Sequence, residues 1–126
     1  MKFLCLIRAE KVMEQLTAAE AAEHFEAYRK FTAAIRESGH LVGCNRLLPP
    51  ATATTVRVRQ GKLSMTDGPF AETKEQLGGY YVIEARDLGE AGRVAARIPG
   101  AWMGSVEVRP IAADDETLRV LGAERD

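Results

Sequence analysis

The pattern of hydrophobic positions along the chain predicts six β-strands. Residues 3–7 are continuously apolar, and so short a run is typical of a strand buried on both faces. Three later segments alternate apolar and polar residues, as strands with one buried face do. The six predicted strands cover residues 3–7, 41–48, 54–59, 62–66, 80–85 and 105–111. Gln60-Gly61 is a tight-turn pair, so the third and fourth strands are expected to form a hairpin with Leu63 and Met65 facing inward. Pro110 marks the last strand as an edge strand or the site of a bulge.

Two segments carry apolar residues at helical spacing, and the first is predicted to extend to about Ser38. Thr17-Ala18-Ala19-Glu20 is a capping-box pattern, in which Thr17 caps a backbone amide while the Glu20 side chain reaches back. Gly39 is the residue expected just beyond the end of this helix. The apolar stripe, which also includes His24, is predicted to contain Ala21, Phe25, Tyr28, Phe31, Thr32 and Ile35.

The second predicted helix is shorter and begins at a similar signal. Asp87 is its expected capping residue, and Glu90 completes an Asp-x-x-Glu pattern. Pro99-Gly100 is expected to end the helix. Its apolar stripe is predicted to contain Leu88, Ala91, Ala95 and Ile98.

The order strand, helix, strand, hairpin, strand, helix, strand predicts an α+β fold, a ferredoxin-like split βαβ arrangement with an inserted β-hairpin. The 126 residues fit a single domain over residues 1–126, and residues 112–126 form a charged C-terminal tail. Two helices can cover only one face of the sheet. A second copy of the chain is the simplest cover for the other face, so we predict a homodimer that closes an α+β barrel.

Composition and charge exclude several classes of function. Apolar residues make up 46% of the chain and charged residues 28%, as in globular proteins. The net charge of −1 and the pI near 6.1 argue against nucleic-acid binding, which needs a basic face. No apolar run resembles a signal peptide or reaches transmembrane length. We therefore expect a cytoplasmic protein with no membrane partner.

The sequence contains no motif for a metal or a cofactor, and none is predicted. Cys5 and Cys44 are the only cysteines, both in apolar strand-like runs, so they are expected to be reduced core residues. With only two histidines in the chain, the cysteines form no metal-binding spacing. A glycine-rich phosphate loop, a nucleophile elbow and a His-Glu-x-x-His motif are all absent.

His24 and Asp67 are the candidate catalytic residues, because their side chains suit acid–base chemistry. Histidine has a pKa near neutrality, and a nearby carboxylate would orient the imidazole and raise that pKa. Each residue also has a structural alternative. His24 can be a hydrogen-bonded residue near the core, and Asp67 can cap the turn at Gly68-Pro69.

Three other residues are candidates for binding a ligand. Arg8 ends the first predicted strand and could bind an anion at a cleft, although a solvated strand end is the preferred explanation. Phe70 follows a turn and is expected to tuck back against apolar neighbours. Tyr81 lies in the apolar run of residues 80–83 and is expected to face the same cleft.

The stretch Asp-Gly-Pro-Phe-Ala-Glu-Thr-Lys-Glu-Gln-Leu-Gly-Gly at residues 67–79 resembles the signature of the DGPF branch of the YCII-related family. The resemblance extends to residues 50–57 before this stretch and to residues 96–99 and 104–110 after it. It covers nearly the whole chain, up to about Ile111, and is far more specific than a short motif.

The resemblance implies a ferredoxin-like α+β fold that dimerises into an α+β barrel. Members of the family tend to be encoded near extracytoplasmic-function sigma factors, and the family has no settled activity. In shorter relatives, a histidine on the first helix and an aspartate look like a catalytic dyad. Counted back from the second strand, His24 lies about one turn from that position.

Two hypotheses for function follow. The first is a protein that binds a small molecule in a cleft near Asp67, with or without acid–base catalysis. It requires a concave pocket in which Asp67 meets His24, Arg8 or Tyr81. The second is a non-catalytic regulatory or partner-binding module linked to a sigma-factor pathway. It requires an exposed apolar patch and no convergent polar pocket.

Overall fold

The computed structural model of the chain describes residues 1–10 and 16–112. Predictions for the tail beyond residue 112 lie outside the described residues. The structure contains six strands and two helices, which are β1 (Lys2–Glu10), α1 (Ala18–Glu37), β2 (Leu41–Arg46), β3 (Thr54–Arg59), β4 (Lys62–Asp67), β5 (Glu75–Glu84), α2 (Leu88–Ala95) and β6 (Ser105–Pro110). Short 3₁₀ turns lie at Pro50–Thr52 and Pro99–Trp102.

The main sheet has four strands in the order β2-β5-β1-β6, and each neighbouring pair is antiparallel. Each helix connects an inner strand to an outer one, which is the ferredoxin-like arrangement. The predicted α+β fold class is therefore confirmed. β6 lies at an edge of this sheet, as Pro110 predicted. β3 and β4 pair only with each other and form the inserted hairpin.

Local hydrogen bonds explain where the helices begin. At the start of α1, the Glu20 amide donates to Thr17 Oγ1 and the Thr17 amide donates to Glu20 Oε1, each at 3.1 Å, so the predicted capping box is present. At α2, the Glu90 amide donates to Asp87 Oδ1 at 2.8 Å. The Glu90 carboxylate, however, accepts from the Arg86 amide, so the second pattern is a simple N-cap.

The hydrophobic core lies between the two helices and one face of the sheet. Phe3, Ile35, Ile83 and Ile98 are its fully buried large apolar residues. The predicted stripe of α2 is wrong at its first position. Leu88, the first residue of the helix, is exposed, and Val94 is buried together with Ala91 and Ala95.

The opposite face of the main sheet carries Leu4, Leu6 and Val82, which are half-exposed. Leu4 pairs with Val82 across the β1–β5 ladder, and both point away from the buried residues that alternate with them. Within the protomer, β1 is therefore buried only on the face that meets the helices, although burial on both faces was predicted.

The hairpin has the turn and register that the sequence predicts, but its side chains have a different environment. Gln60 and Gly61 both have positive φ angles, of 53° and 76°, as a two-residue type I′ turn requires. Leu63 and Met65, which were expected to face inward, are each 65% exposed. Val56 and Val58, their cross-strand partners, are also more than half exposed. Within the described residues, nothing covers this apolar face of the hairpin.

Candidate functional site

A cavity of about 790 Å³ lies between α1, β5 and the segment that follows β2. α1 contributes Ala21, His24, Phe25 and Tyr28 to its wall. The opposite side consists of β5 residues from Gln76 to Tyr81, and residues 47–50 close one end. Most of the lining is therefore apolar, with a few polar side chains among it.

The glycine pair of β5 lines the cavity with backbone, and Gly79 also allows β2 and β5 to approach closely. A Cβ atom on Gly79 would lie 2.9 Å from the Asn45 carbonyl oxygen, so a side chain here would force β2 and β5 apart. A Cβ atom on Gly78 would meet nothing closer than the Ile7 carbonyl oxygen at 4.0 Å. Neither residue projects a side chain, so this part of the strand leaves room for the cavity.

Three rings that line the cavity contact one another. The His24 ring packs edge-on against Tyr28, with centroids 4.9 Å apart. The rings of Tyr28 and Tyr81 are parallel within 3°, with centroids 6.5 Å apart. His24 and Tyr28 lie one helical turn apart, so both project from the same side of α1.

Hydrogen bonds show which hydroxyl proton is available to a ligand. Thr32 Oγ1 donates to the Tyr28 carbonyl oxygen at 2.8 Å, so its single proton is used. The Tyr81 hydroxyl, 2.7 Å from Thr32 Oγ1, must then donate to it. The Tyr28 hydroxyl accepts from the Gly100 amide at 3.0 Å. No other described residue accepts the Tyr28 proton, so this phenol can donate to a bound molecule.

Burial keeps these groups uncharged at neutral pH. It lowers the pKa of His24, because the imidazolium is less well solvated than in water. It also raises the pKa of Tyr28 to about 12 and raises that of Tyr81. The cavity therefore presents a neutral imidazole, which can accept a proton, beside a phenol that can donate one.

The structure brings together two of the five residues that the sequence analysis singled out. His24 and Tyr81 both line the cavity. Asp67, Arg8 and Phe70 do not line it.

Asp67 ends β4, where it pairs with Thr54 in the hairpin. Its carboxylate forms no hydrogen bond or ion pair with any described residue, so the predicted turn cap is not formed there. The turn is held by other groups. The Gly68 amide donates to the Ala53 carbonyl oxygen at 2.7 Å, and Thr55 Oγ1 donates to the Gly68 carbonyl oxygen at 2.9 Å.

Arg8 and Phe70 also lie in surroundings other than a cleft. The Arg8 Nε atom is 3.7 Å from Glu107 Oε1, an ion pair between neighbouring strands. Phe70 is 82% exposed, so the expectation that it tucks back against apolar neighbours is wrong within the protomer. Its loop is held by the Gln76 side-chain amide, which donates to the carbonyl oxygens of Ala71 and Thr73.

Three parts of the site were not predicted from the sequence. They are Tyr28, Arg46 and the glycine pair Gly78-Gly79. Tyr28 was assigned to the buried stripe of α1, and its spacing of four from His24 is the signal that could have paired them. Arg46 lies at the end of β2, and its guanidinium packs 5.0 Å from the centroid of the Phe25 ring. Nothing local in the sequence predicts that contact.

Fold and site together define an α+β protein of ferredoxin-like topology with a largely apolar cavity beside its first helix. The chain belongs to the YCII-related domain family, whose pattern it matches over residues 1–113. It is also similar to an uncharacterized protein of Rhizobium meliloti (strain 1021). The two are 40% identical over 105 residues, a match that covers 79% of this chain and 85% of the relative.

Two further features of the described residues bear on the kind of site. No helix in residues 1–10 and 16–112 is long and apolar enough to cross a membrane. Within the same ranges, no three His, Cys, Asp or Glu side chains cluster as a metal site would need.

Proposed function

We propose that this protein binds a small molecule in the cavity between α1 and β5, with His24 as its acid–base residue. The cavity supports this proposal, because its volume of about 790 Å³ lies within the usual range for ligand sites. Such sites typically combine apolar walls with a few convergent polar groups. Here those groups are His24 and the hydroxyl of Tyr28, with Tyr81 beside them.

The two polar groups have complementary roles. Neutral His24 accepts a proton or a hydrogen bond, while Tyr28 donates one. Together they can bind a group that carries both an acceptor and an acidic proton, or shift a proton between two of its atoms. Asp67 remains a proposed partner of His24. Because it lies outside the cavity lining of its own protomer, it would have to come from a second copy.

A thermal-shift screen of small molecules, followed by titration of each compound that raises the melting temperature, tests the proposal. His24→Gln and Tyr28→Phe are expected to weaken binding of the compounds found. His40→Gln is the matched control, since His40 lies outside the cavity and pairs with Glu90 at 3.3 Å. Compounds that bind all four proteins equally well would contradict the proposed site.

Asp67 is tested separately with the same compounds. If it acts with His24, Asp67→Asn should keep the melting temperature and lose binding or turnover. Unchanged binding in that variant would remove Asp67 from the site and leave the cavity proposal intact.

We also propose that the protein is a homodimer that forms an α+β barrel in the cytoplasm, within the DGPF branch of its family. Two apolar surfaces that the protomer leaves incompletely covered support the proposal of a second copy. One is the half-exposed sheet face around Leu4, Leu6 and Val82, and the other is the apolar face of the hairpin. Light scattering at micromolar concentration should give the mass of a dimer, and a monomeric mass would contradict this part.

A second function is favoured by the hairpin alone, namely a regulatory module linked to an extracytoplasmic-function sigma factor. The hairpin face formed by Val56, Val58, Leu63 and Met65 is the kind of exposed apolar patch that a protein partner covers. The double variant Leu63→Ser/Met65→Ser separates the two uses of this face. If the face joins two copies, the variant should lose the dimer mass. If it binds another protein, the dimer mass should be unchanged.

A further inference from the structure

The charges around the cavity have one sign. Arg46 lies in its lining, and none of the described residues that line it is an aspartate or a glutamate. His24, the other ionisable base of the lining, is buried enough to favour its neutral form. A bound molecule therefore meets one fixed positive charge and no described negative charge.

Arg46 is free to bind a ligand. Its Cζ atom lies 5.0 Å from the centroid of the Phe25 ring, and no described residue accepts a hydrogen bond from its N–H groups. No carboxylate of residues 1–10 and 16–112 forms an ion pair with it. Arg8 and Arg86 differ in this respect, since Arg8 pairs with Glu107 at 3.7 Å and Arg86 with Glu90 at 3.2 Å.

We infer that the ligand of this cavity is an organic anion, with an apolar body against α1 and β5 and one acidic group bound by Arg46. The acidic group is a carboxylate, sulfonate or phosphate, because a guanidinium offers a planar pair of donors that matches their oxygens. This inference rests on the proposed function. A cationic ligand would meet Arg46 without any described carboxylate to compensate, so the lining disfavours it.

Phe25 has a positioning role in this site. The ring is 58% exposed, although it was predicted to belong to the buried stripe of α1. Its exposed face supports the guanidinium of Arg46 beside the cavity. The contact with Arg46 thereby explains why Phe25, an apolar residue of α1, is exposed.

A matched pair of fluorescent probes tests the inference. Anilinonaphthalene sulfonate and N-phenylnaphthylamine share the same apolar body, and only the first carries an acidic group. Arg46→Gln is expected to weaken binding of the sulfonate about fivefold, the upper range for a solvent-exposed ion pair. Binding of the uncharged probe should change less than about twofold, because that probe forms no ion pair with Arg46 that the substitution could remove.

Two further arginine variants sharpen the result. Arg97 lies over Phe31 at 5.8 Å but does not line the cavity, so Arg97→Gln removes an equivalent charge elsewhere and should affect neither probe. Arg46→Lys keeps the charge without the planar donor pair, and it should weaken sulfonate binding less than Arg46→Gln does. Melting curves of each variant establish that it is folded.

Failure of this inference is distinguishable from failure of the proposed function. Ala21→Trp places an indole in the cavity beside His24 and should prevent binding of both probes, whereas His40→Gln alters a residue outside the cavity and should prevent neither. If the wild-type protein binds neither probe, or if Ala21→Trp leaves both bound, the cavity is not a ligand site and both proposals fall. If Ala21→Trp blocks both probes but sulfonate binding is the same with and without Arg46, only the anion inference is overturned.

Discussion

The main sheet and the β3–β4 hairpin are both antiparallel and both alternate apolar with polar residues, yet their apolar faces have opposite environments. Phe3 and Ile83 in the main sheet are fully buried beneath the two helices. Val56 and Leu63 in the hairpin are 55% and 65% exposed. A two-stranded hairpin alone is marginally stable in water, so its apolar face needs a cover that the described protomer does not provide. The comparison shows that alternation identifies a strand and its faces, while burial depends on what packs against them.

The largest expected effect tests how tightly the main sheet is assembled. A Cβ atom on Gly104 would overlap the Arg8 carbonyl oxygen, and backbone atoms cannot move aside without disrupting β1. Gly104→Ala is therefore expected to lower the free energy of unfolding by about 4 kcal/mol. Gly43→Ala is the control, because a Cβ atom there meets nothing within 4 Å and its φ angle is not positive. Urea denaturation of both variants measures the difference, and similar midpoints would contradict it.

The next prediction compares the two regions directly by large-to-small substitution. Ile83→Ala removes methyl groups from a site with no exposure and should cost about 3 kcal/mol. Leu63→Ala in the hairpin should cost less than about 0.5 kcal/mol in the monomer, because the side chain is already solvated. Urea denaturation at several protein concentrations checks both values. A cost for Leu63→Ala that grows with protein concentration would show that a second copy covers the hairpin. A large cost at all concentrations would contradict the solvent exposure of the hairpin within the protomer.

The third prediction concerns Tyr28, whose hydroxyl is half-buried and accepts from the Gly100 amide. Tyr28→Phe loses the bond from the Gly100 amide and should cost about 1 kcal/mol at pH 7. The folded state raises the pKa of Tyr28 to about 12, above the value near 10 of an unfolded tyrosine. The neutral Tyr28 phenol therefore makes its full contribution to the free energy of unfolding below pH 10, and this contribution is lost as the pH rises towards 12.

Denaturation of the wild-type and Tyr28→Phe proteins between pH 7 and pH 11.5 tests this. The wild-type protein should lose stability more steeply above pH 10, so that its advantage over Tyr28→Phe shrinks and then reverses before pH 11.5. A constant difference across that range would mean that Tyr28 titrates as it does in the unfolded chain.

The sequence predicted the elements that local chemistry determines. The Thr17–Glu20 capping box, the positive φ of Gly39 and the turn at Gln60-Gly61 each depend on residues within a few positions, and each is present. The environments of Leu63 and Phe70 were predicted wrongly, because burial depends on distant surfaces. No local pattern predicts whether the surface that covers an apolar side chain lies in the same chain or in another.

The candidate site was predicted in part for the same reason. His24 was identified by its chemistry and Tyr81 by its place in an apolar strand, and both line the cavity. The cavity itself depends on how far α1 is held from Gly78 and Gly79, which is a property of the packed fold. Arg46 and Phe25 meet across two elements, so their contact is visible only once α1 and β2 are placed side by side.

The central position of β1 has a consequence for how the protein is made. β1 is the first of the described strands to be synthesised, but its partners include β6, where Phe3 pairs with Pro110. At about 5–20 residues per second, translation needs roughly 5–20 s to reach that partner after β1 has been made. The β3–β4 hairpin has a two-residue turn and can close in about 1–10 μs. The hairpin of the nascent chain can therefore form long before the apolar side chains of β1 meet the strand that completes their sheet.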